Sequence, residues 1–586
     1  MKYSQINWKS AFAWLRQKQT LLLKMYKEGD LDEVRRIQVS ILKDFRTTSV
    51  AVRRVSSNTG SSTSGVDGLI AKTHDELGAL ASKAHYVVCN PSTYKASTVK
   101  RVWMTEGLND KRPLGILTTL DRTVQAIYLE AIDPIVECHS CENSYGFRKF
   151  RSAQDAVLAL RGKLIHPKAS EWVLNADIAK FFDNIDHDYL LRNVPVYRNV
   201  DRKVLREMLK AGIIHNSDIT MPDFGTPQGG ILSPVLANIA LNGLEEMVKQ
   251  RAAELHKKLT GRKGNPKVHI VRYVDDFIVV GPSKKTLLFL ILCIKKFLSE
   301  RGLKISDEKT SLVNIWESDV LFLGFSFKKR RFNYRKRIEI SWNKTTSKST
   351  SRIIIWPSAR NQLKFKTKVR DITRSHSDLS TLIIKLNEYL RNWAYYFAAT
   401  SDSAERVRKL HRFVLRLCWL KVLKKYPLMT RKQIKRRFFP KHKFYQLGRH
   451  VSRAWVFSAP TKLERPSSKF ARLRLFNLDS VRAPGTAILP KGLNAYSEKD
   501  LIRLEKRKPR FSSSTVEKVC AKQKFICPVC GQSLGNGEEV ELHHSPSLKD
   551  LRLDSSPNKR VKLIALHKLC HRKVHKSDKT KDTNGL

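Results

Sequence analysis

The run Val268-His-Ile-Val-Arg-Tyr-Val-Asp-Asp-Phe-Ile-Val-Val280 constrains this chain more than any other. β-Branched and aromatic residues stand on both sides of Asp275-Asp276, so strand propensity is high before and after the acids. Period-two alternation is poor, as in strands buried on both faces, and the acids fall at the turn of a buried hairpin. Burying adjacent carboxylates is costly unless a positive partner compensates. Mg²⁺ is the usual partner, because it takes oxygen ligands and leaves room for substrate phosphates. A third carboxylate stands in Trp172-Val-Leu-Asn-Ala-Asp-Ile178, which reads as a strand ending at Asp177, with Phe181, Phe182 and Asp183 beginning a helix. Two metal ions on such a triad can activate a 3′-hydroxyl and stabilise a departing pyrophosphate. The plainer reading, that Asp-Asp is an ordinary turn dipeptide, accounts for the pair but not for Asp177.

The rest of the chain points to a polyanionic partner. It has 586 residues, enough for several domains, and 41% hydrophobic residues, enough for real cores. It carries 110 Lys+Arg against 54 Asp+Glu, a formal +56. Such an excess suits phosphate, since neutralisation and counterion release reward Lys and Arg directly. A membrane is not expected. No apolar span reaches about 20 residues, and Leu287 to Ile294 runs into Lys295 and Lys296 as an amphipathic core helix. The opening Met1-Lys-Tyr-Ser-Gln-Ile-Asn-Trp does not read as a targeting peptide. Nine scattered cysteines do not make a disulfide scaffold, and an intracellular, reducing compartment is expected.

Composition divides the chain into five parts. Residues 1–65 read as a helical N-terminal extension, with Trp8, Phe12, Leu15, Leu21, Leu22 and Leu23 set among charges and a Ser/Thr/Gly loop from Ser56 to Gly65. Residues 66–340 mix strands and helices. A Ser/Thr/Lys loop, Asn343 to Ser351, marks a boundary before a basic helical segment, 350–440. In that segment Arg406, Arg408, Lys409, Arg412 and Arg416 interleave with Leu410, Phe413, Val414, Leu417 and Trp419. Residues 401–450 hold 16 Lys/Arg and two acids. One helix face is buried and the other is cationic, which suits folded RNA; a merely solvated charge face is the bland alternative. Residues 441–510 form a basic DNA-binding or linker region, with a Pro/Gly-containing stretch from Ala483 to Leu493. A Cys/His-rich module occupies 512–577.

In that module Cys527-Pro-Val-Cys530 and His567-Lys-Leu-Cys570 are knuckles about 40 residues apart, able to close a tetrahedral Zn²⁺ site on Cys527, Cys530, Cys570 and, as fourth ligand, His567. Zinc would stabilise a domain too small to hold itself. His571 and His575, four apart, share a helix face. With His543 they could hold a catalytic metal beside a scissile phosphate, leaving His544 as general base. A purely structural knuckle is the alternative.

The ordered blocks resemble the reverse transcriptases encoded by group II introns. Tyr273-Val-Asp-Asp276 is similar to their Y-x-D-D motif. Lys111-Arg-Pro-Leu-Gly-Ile116, Ser144-Tyr-Gly-Phe-Arg148, Ala176-Asp-Ile178 with Phe181-Phe-Asp183, Gly225 to Pro234 with Ala237-Asn238, Arg301-Gly-Leu with Glu308-Lys-Thr310, and Phe322-Leu-Gly-Phe325 complete seven blocks in family order. The resemblance covers roughly 40–400 and resumes at the C-terminal module. It implies that Arg112 pairs with the triphosphate of a deoxynucleotide, that Gln228 and Lys309 belong to the nucleotide site, and that Phe182 sets a bulky ring against the sugar 2′ position. Leu386 to Phe397 resembles the signature of the maturase, or thumb, domain. Glu541-Leu-His-His544 resembles the entry of an HNH nuclease.

The implied architecture is multidomain α+β. It comprises a right-hand polymerase with fingers and a palm built on an antiparallel sheet, a helical basic thumb, and a C-terminal ββα-metal HNH domain holding zinc. The implied function is RNA-directed DNA synthesis, intron RNA splicing and DNA nicking for retrohoming. The implied cofactors are Mg²⁺ and Zn²⁺. The implied partners are a group II intron RNA, target DNA and deoxynucleoside triphosphates, and a homodimer is left open. The implied location is a bacterial cytoplasm or an organelle that encodes the protein.

Departures define a second reading. Glu106 stands where the family carries a lysine near the triphosphate, Leu117 where it carries a proline, and Lys562 where it carries an asparagine before the second knuckle. A non-enzymatic maturase, an RNA-binding splicing factor with weakened polymerase and nuclease sites, would accommodate them. A DNA-only nuclease would leave the seven blocks unexplained.

Overall fold

The computed structural model describes residues 3–105, 111–165, 170–215, 218–264, 266–333, 349–399, 404–446, 449–460, 472–478, 489–490, 492–505, 515–534, 538–545, 562–571 and 574. Helices α1 (Trp8–Glu28), α2 (Leu31–Lys43), α3 (Phe45–Ser57) and α4 (His74–Cys89) open the chain. Their starts are capped by Asn7, Asp30, Asp44 and Thr73, each accepting from a backbone N–H of the first turn. Leu15, Leu22, Val34, Ile37, Ile41, Val50 and Ala81 bury their shared faces. The helical layer therefore continues through Cys89, beyond residue 65.

Strands β1 (Val99–Thr105) and β2 (Lys111–Ile116) follow, then α5 (Thr119–His139), α6 (Ala153–Leu164), β3 (Trp172–Ala176), α7 (Phe181–Asn184), α8 (His187–Asn193) and α9 (Asn199–Leu209). The short β4 (Ile213–His215) and β5 (Asp218–Thr220) complete a sheet ordered β2-β1-β4-β5. After α10 (Ser233–Leu241) and α11 (Leu244–Thr260) come β6 (His269–Tyr273), β7 (Asp276–Gly281), α12 (Lys284–Ser299) and β8 (Ser311–Asn314). The second four-stranded sheet is ordered β6-β7-β3-β8 and is antiparallel at every junction.

Both faces of this sheet are covered, which is why its strands lack alternation. Leu174, Ala176, Phe277 and Val279 join the core shared with the N-terminal helices and α5. Val173, Val271, Ile278 and Val280 join a second core. In α12, Leu287, Leu290 and Ile294 are buried while Leu288 and Leu292 face outward. Among the described residues no helix is long and apolar enough to cross a membrane.

Strands β9 (Val320–Phe322), β10 (Phe325–Asn333) and β11 (Ser349–Pro357) form a three-stranded sheet. Here the boundary expected at Asn343 to Ser351 needs correction. Ser349 pairs with Asn333 and Pro357 with Phe325, so residues 349–357 close a hairpin with the preceding strand; residues 343–348 lie outside the described residues. Backbone pairing there outweighs a polar, loop-like composition.

The basic segment is helical from α13 (Ala359–Ser375) through α14 (Leu379–Tyr396), α15 (Ala404–Lys425) and α16 (Arg431–Phe438). Phe365, Val369, Leu382, Leu386, Leu410, Val414 and Cys418 bury one side. Arg412, Arg416, Lys424, Arg431, Lys432, Lys435, Arg436 and Arg437 are exposed. Two hairpins follow, β12 (Lys441–Gln446) with β13 (Arg449–Trp455) and β14 (Ser458–Pro460) with β15 (Arg472–Arg474), then α17 (Glu498–Glu505). The chain ends in a small unit of α18 (Thr515–Lys522), β16 (Val540–Ser545), β17 (Lys562–His567) and helical residues 568–571.

Candidate functional site

The hairpin β6–β7 turns through two residues, Val274 and Asp275, because Tyr273 pairs directly with Asp276. Val274 adopts a left-handed backbone, with φ of 60°, a costly conformation for a β-branched residue. Its surroundings impose it. Arg272, fully buried, reaches the Val274 carbonyl at 3.3 Å and Asn238 Oδ1 at 3.4 Å. Tyr145 N–H donates to the Arg272 carbonyl at 3.0 Å, and Arg272 N–H to that of Asn143 at 2.9 Å. Gly146 lies so close that a Cβ there would stand 2.6 Å from the Val274 nitrogen. Residues from the blocks at 144–148 and 237–238 thus brace the turn that carries the acids.

Strand β3 runs beside β7 with Ala176 opposite Phe277, which sets Asp177 next to Asp276 across the sheet. Three carboxylates are thereby gathered at one sheet end. Burial pushes Asp276 up to about 7, with Asp177 and then Asp275 adding repulsion. Burial also raises Asp275. Arg112 offsets the charge at Asp275, and two further groups relieve the site. Lys309 Nζ lies 3.1 Å from Asp177 Oδ2. The Asp276 carboxylate accepts from the backbone N–H of Leu323, in the turn between β9 and β10. That turn is tied to the basic helices, since Tyr396 Oη donates to the Leu323 carbonyl at 3.0 Å and Asn361 Nδ2 to that of Gly324 at 3.1 Å.

The acids open onto a cleft of about 950 Å³ lined by Arg112, Asp177, Phe182, Gln228, Asp275 and Lys309 among others. Arg112 Nε donates to Gln228 Oε1 at 3.0 Å, and Gln228 Nε2 is 3.3 Å from Asp183. Gly229, with φ of 121°, brings its backbone so near Gly115 that a Cβ would lie 2.6 Å from the Gly115 oxygen. Phe182 is buried against Phe181 and Phe147, with ring centres 5.4 and 6.2 Å away. The cleft thus collects six of the residues that sequence reasoning placed near a nucleotide; Asp276 and Gly229 do not line it. Glu106 lies outside the described residues. Sequence reasoning missed Asp183, Arg272, Leu323 and Tyr396 as supports; they stood inside the motif blocks, but nothing along the chain marked their partners.

The second site is the Cys/His module. The donor atoms of Cys527, Cys530, His567 and Cys570 all lie within 4.8 Å of one another, and all four residues are buried. Among the described residues this is the group of three or more ligand-type side chains that closes so tightly. The separation fits Zn²⁺, whose bonds of about 2.3 Å to sulfur and 2.0 Å to nitrogen put neighbouring ligands roughly 3.5–4 Å apart. His567 Nε2 faces the Ser533 carbonyl at 3.2 Å while Nδ1 lies 3.3 Å from Cys530 Sγ. A proton on Nε2 would fix Nδ1 as the metal-facing atom. Hydrogen bonds from Cys530, then Cys570, hold the Cys527 thiol well below its usual range.

Of the remaining histidines, two come together. His543 is buried, with its ring centre 5.4 Å from that of His571, and His571 Nδ1 lies 2.7 Å from Glu541 Oε2. His544 stands in β16 opposite Leu563, beside Ser545 opposite Lys562. His575 lies outside the described residues. Glu541, which the sequence offered only as part of a motif, is the carboxylate that orients His571.

Comparison with known proteins agrees with this geometry. Residues 100–327 match reverse transcriptase (RNA-dependent DNA polymerase), residues 3–83 match the N-terminal domain of reverse transcriptase, and residues 362–439 match the group II intron maturase-specific domain. The group II intron-encoded protein LtrA of Lactococcus lactis subsp. cremoris is 29% identical over 55% of this chain; the match spans 61% of LtrA, so this chain covers about three fifths of that relative. An uncharacterized 91 kDa protein in the cob intron of Schizosaccharomyces pombe is 24% identical over 92% of this chain and 70% of its own length. A putative COX1/OXI3 intron 2 protein of Saccharomyces cerevisiae is 21% identical over 94% of this chain and 68% of its own. The chain thus carries reverse transcriptase, reverse transcriptase N-terminal and group II intron maturase-specific domains.

Proposed function

We propose that this chain copies RNA into DNA for a group II intron, promotes splicing of that intron's RNA, and nicks a DNA target with its C-terminal module, so that the intron is copied into the cut site. The observation that carries the reading is the braced turn presenting Asp275 and Asp276 beside Asp177, at the mouth of a cleft holding Arg112, Gln228 and Phe182.

Mg²⁺ on the three carboxylates would polarise the triphosphate and lower the barrier to attack by a 3′-hydroxyl. The protein's own residues do the rest. Arg112 takes the triphosphate oxygens, and Gln228, steadied by Asp183, holds the nucleotide against the close backbone of Gly115 and Gly229. Phe182, locked by its aromatic neighbours, excludes a 2′-hydroxyl. Lys309 offsets the charge of Asp177, one of the carboxylates that would hold the metal. The cationic outer face of α15 and α16 grips intron RNA through phosphates.

In the terminal module Cys527, Cys530, His567 and Cys570 would hold zinc, which would stabilise the small fold. His544 accepts a proton from the attacking water, while His543, His571 and His575 address a metal at the scissile phosphate. The two activities test separately. Asp275→Ala should cut primer extension on an RNA template by at least about a hundredfold with RNA affinity unchanged; extension equal to wild type ends the polymerase assignment. His544→Ala should keep zinc yet lose nicking of a supercoiled or target duplex; undiminished nicking leaves the module a knuckle that only binds DNA.

A further inference from the structure

The zinc ligands are not enclosed by their own module alone. Arg53, in the N-terminal helix α3, is 1% exposed and points into the cluster. Its Nη2 lies 3.3 Å from Cys570 Sγ, 3.6 Å from Cys530 Sγ and 3.5 Å from His567 Nδ1. The same Nη2, together with Nε, meets Glu538 Oε2 at 2.9 and 3.1 Å. The guanidinium carbon is 4.9 Å from the Trp8 ring centre and 5.3 Å from that of Phe12. Trp8 itself packs against the module core of Val519, Cys527, Leu534 and Leu566. Nothing in the linear sequence joins Arg53 to a cysteine 477 residues away.

We propose that Arg53 is the outer-sphere cation of the zinc centre, and that the loaded centre clamps the C-terminal module onto helices α1 and α3. The inference rests on the zinc reading of Cys527, Cys530, His567 and Cys570. Three thiolates, a neutral imidazole and Zn²⁺ sum to one negative charge. Buried and unpaired, that charge is expensive. Arg53 supplies a positive charge, shared between the cluster and Glu538, and its Nη2 faces the sulfurs as a donor, as partners behind metal ligands do. Glu538 fixes the guanidinium plane and continues the contact into the module. Because the cation belongs to one end of the chain and the ligands to the other, metal affinity and docking are coupled: whatever stabilises one stabilises the other.

The full-length protein tests this. Zinc affinity, measured by competition with a chromogenic chelator, should fall about 10–100-fold in Arg53→Met, which keeps the volume and removes the charge. Arg53→Lys, which restores the charge without the fork, should recover part of that loss. In wild type, stripping zinc should raise hydrogen exchange at residues 45–57 as well as at 515–571, with the palm hairpin 269–281 unchanged; this measurement serves even if Arg53→Met does not fold. Equal zinc affinity in wild type and Arg53→Met, no recovery in Arg53→Lys, or exchange changes confined to 515–571 would each overturn the clamp while leaving the zinc site standing. A wild-type protein that takes up no zinc, or a Cys530→Ser protein that holds it as tightly, would overturn the zinc reading and the clamp with it.

Discussion

At the palm hairpin three hard oxygen donors are kept together by a framework that would be there without them. In the C-terminal module three sulfurs and an imidazole crowd within 4.8 Å, and there is little framework besides. The palm sheet is sandwiched between two large cores; among the described residues the module's core has eight buried members, three of them the cysteines of the cluster. The difference teaches where each site keeps its stability. A large scaffold can store electrostatic strain, as Asp276 at about 7 shows. A small one has no reserve, and its ligands must also be its glue.

The sharpest break between the two regions should come from Cys530→Ser. Zinc content should fall to near zero and residues 515–571 should lose exchange protection, while primer extension by the palm persists at close to wild-type rate. Elemental analysis beside hydrogen exchange checks it, and loss of polymerase activity in step with zinc would erase the distinction.

Next in size is Asp276→Asn in metal-free protein. The folded carboxyl is raised to about 7 from an ordinary value of about 4. Below about pH 4 both folded and unfolded chains hold the proton and the residue costs nothing. Above about pH 7 both are ionised and the folded state bears the full penalty. The substitution should therefore stabilise the fold at pH 8 by on the order of a few kcal/mol, read as a higher Tm, with the gain shrinking as pH falls toward 4. A gain independent of pH would show that repulsion is not its origin. Protons and Mg²⁺ should compete for the Asp276 carboxylate, so wild-type extension should need more Mg²⁺ as pH falls.

Gly146→Ala probes the framework itself. A Cβ 2.6 Å from the Val274 nitrogen must displace the turn, and about an ångström of misplacement costs roughly a hundredfold in rate. The loss should appear in kcat with template affinity intact; an unchanged kcat would mean that the turn is less rigidly placed than its contacts imply.

The mildest change belongs to the cationic face of α15 and α16, proposed above to meet RNA. Replacing Arg431, Lys432, Lys435, Arg436 and Arg437 with Gln should flatten the dependence of log affinity on log salt by about 0.7–0.9 for each phosphate that is no longer neutralised, with chemistry at the palm unaltered. An unaltered slope would mean that this face meets only solvent.

The sequence by itself determined a great deal here, because the informative signals were local. Strand propensity around Asp275-Asp276, the interleaved charges of α15, and the two Cys/His knuckles each fit within a few tens of residues, and each element forms where its pattern stands. Composition misplaced two borders: at 65, where the helical layer runs on through α4, and at 343–351, where a polar stretch runs into a strand paired to its predecessor. Ladder hydrogen bonds are indifferent to side-chain polarity, so a pattern of side chains could not announce them. What only the tertiary structure decided are partnerships across long separations: Lys309 with Asp177, Tyr396 with the turn that caps Asp276, and Arg53 with the cysteines at the far end of the chain. A buried charge must be met by whatever cation or donor the fold delivers to it. Which residue that is depends on where the helices pack, and no spacing along the chain encodes it.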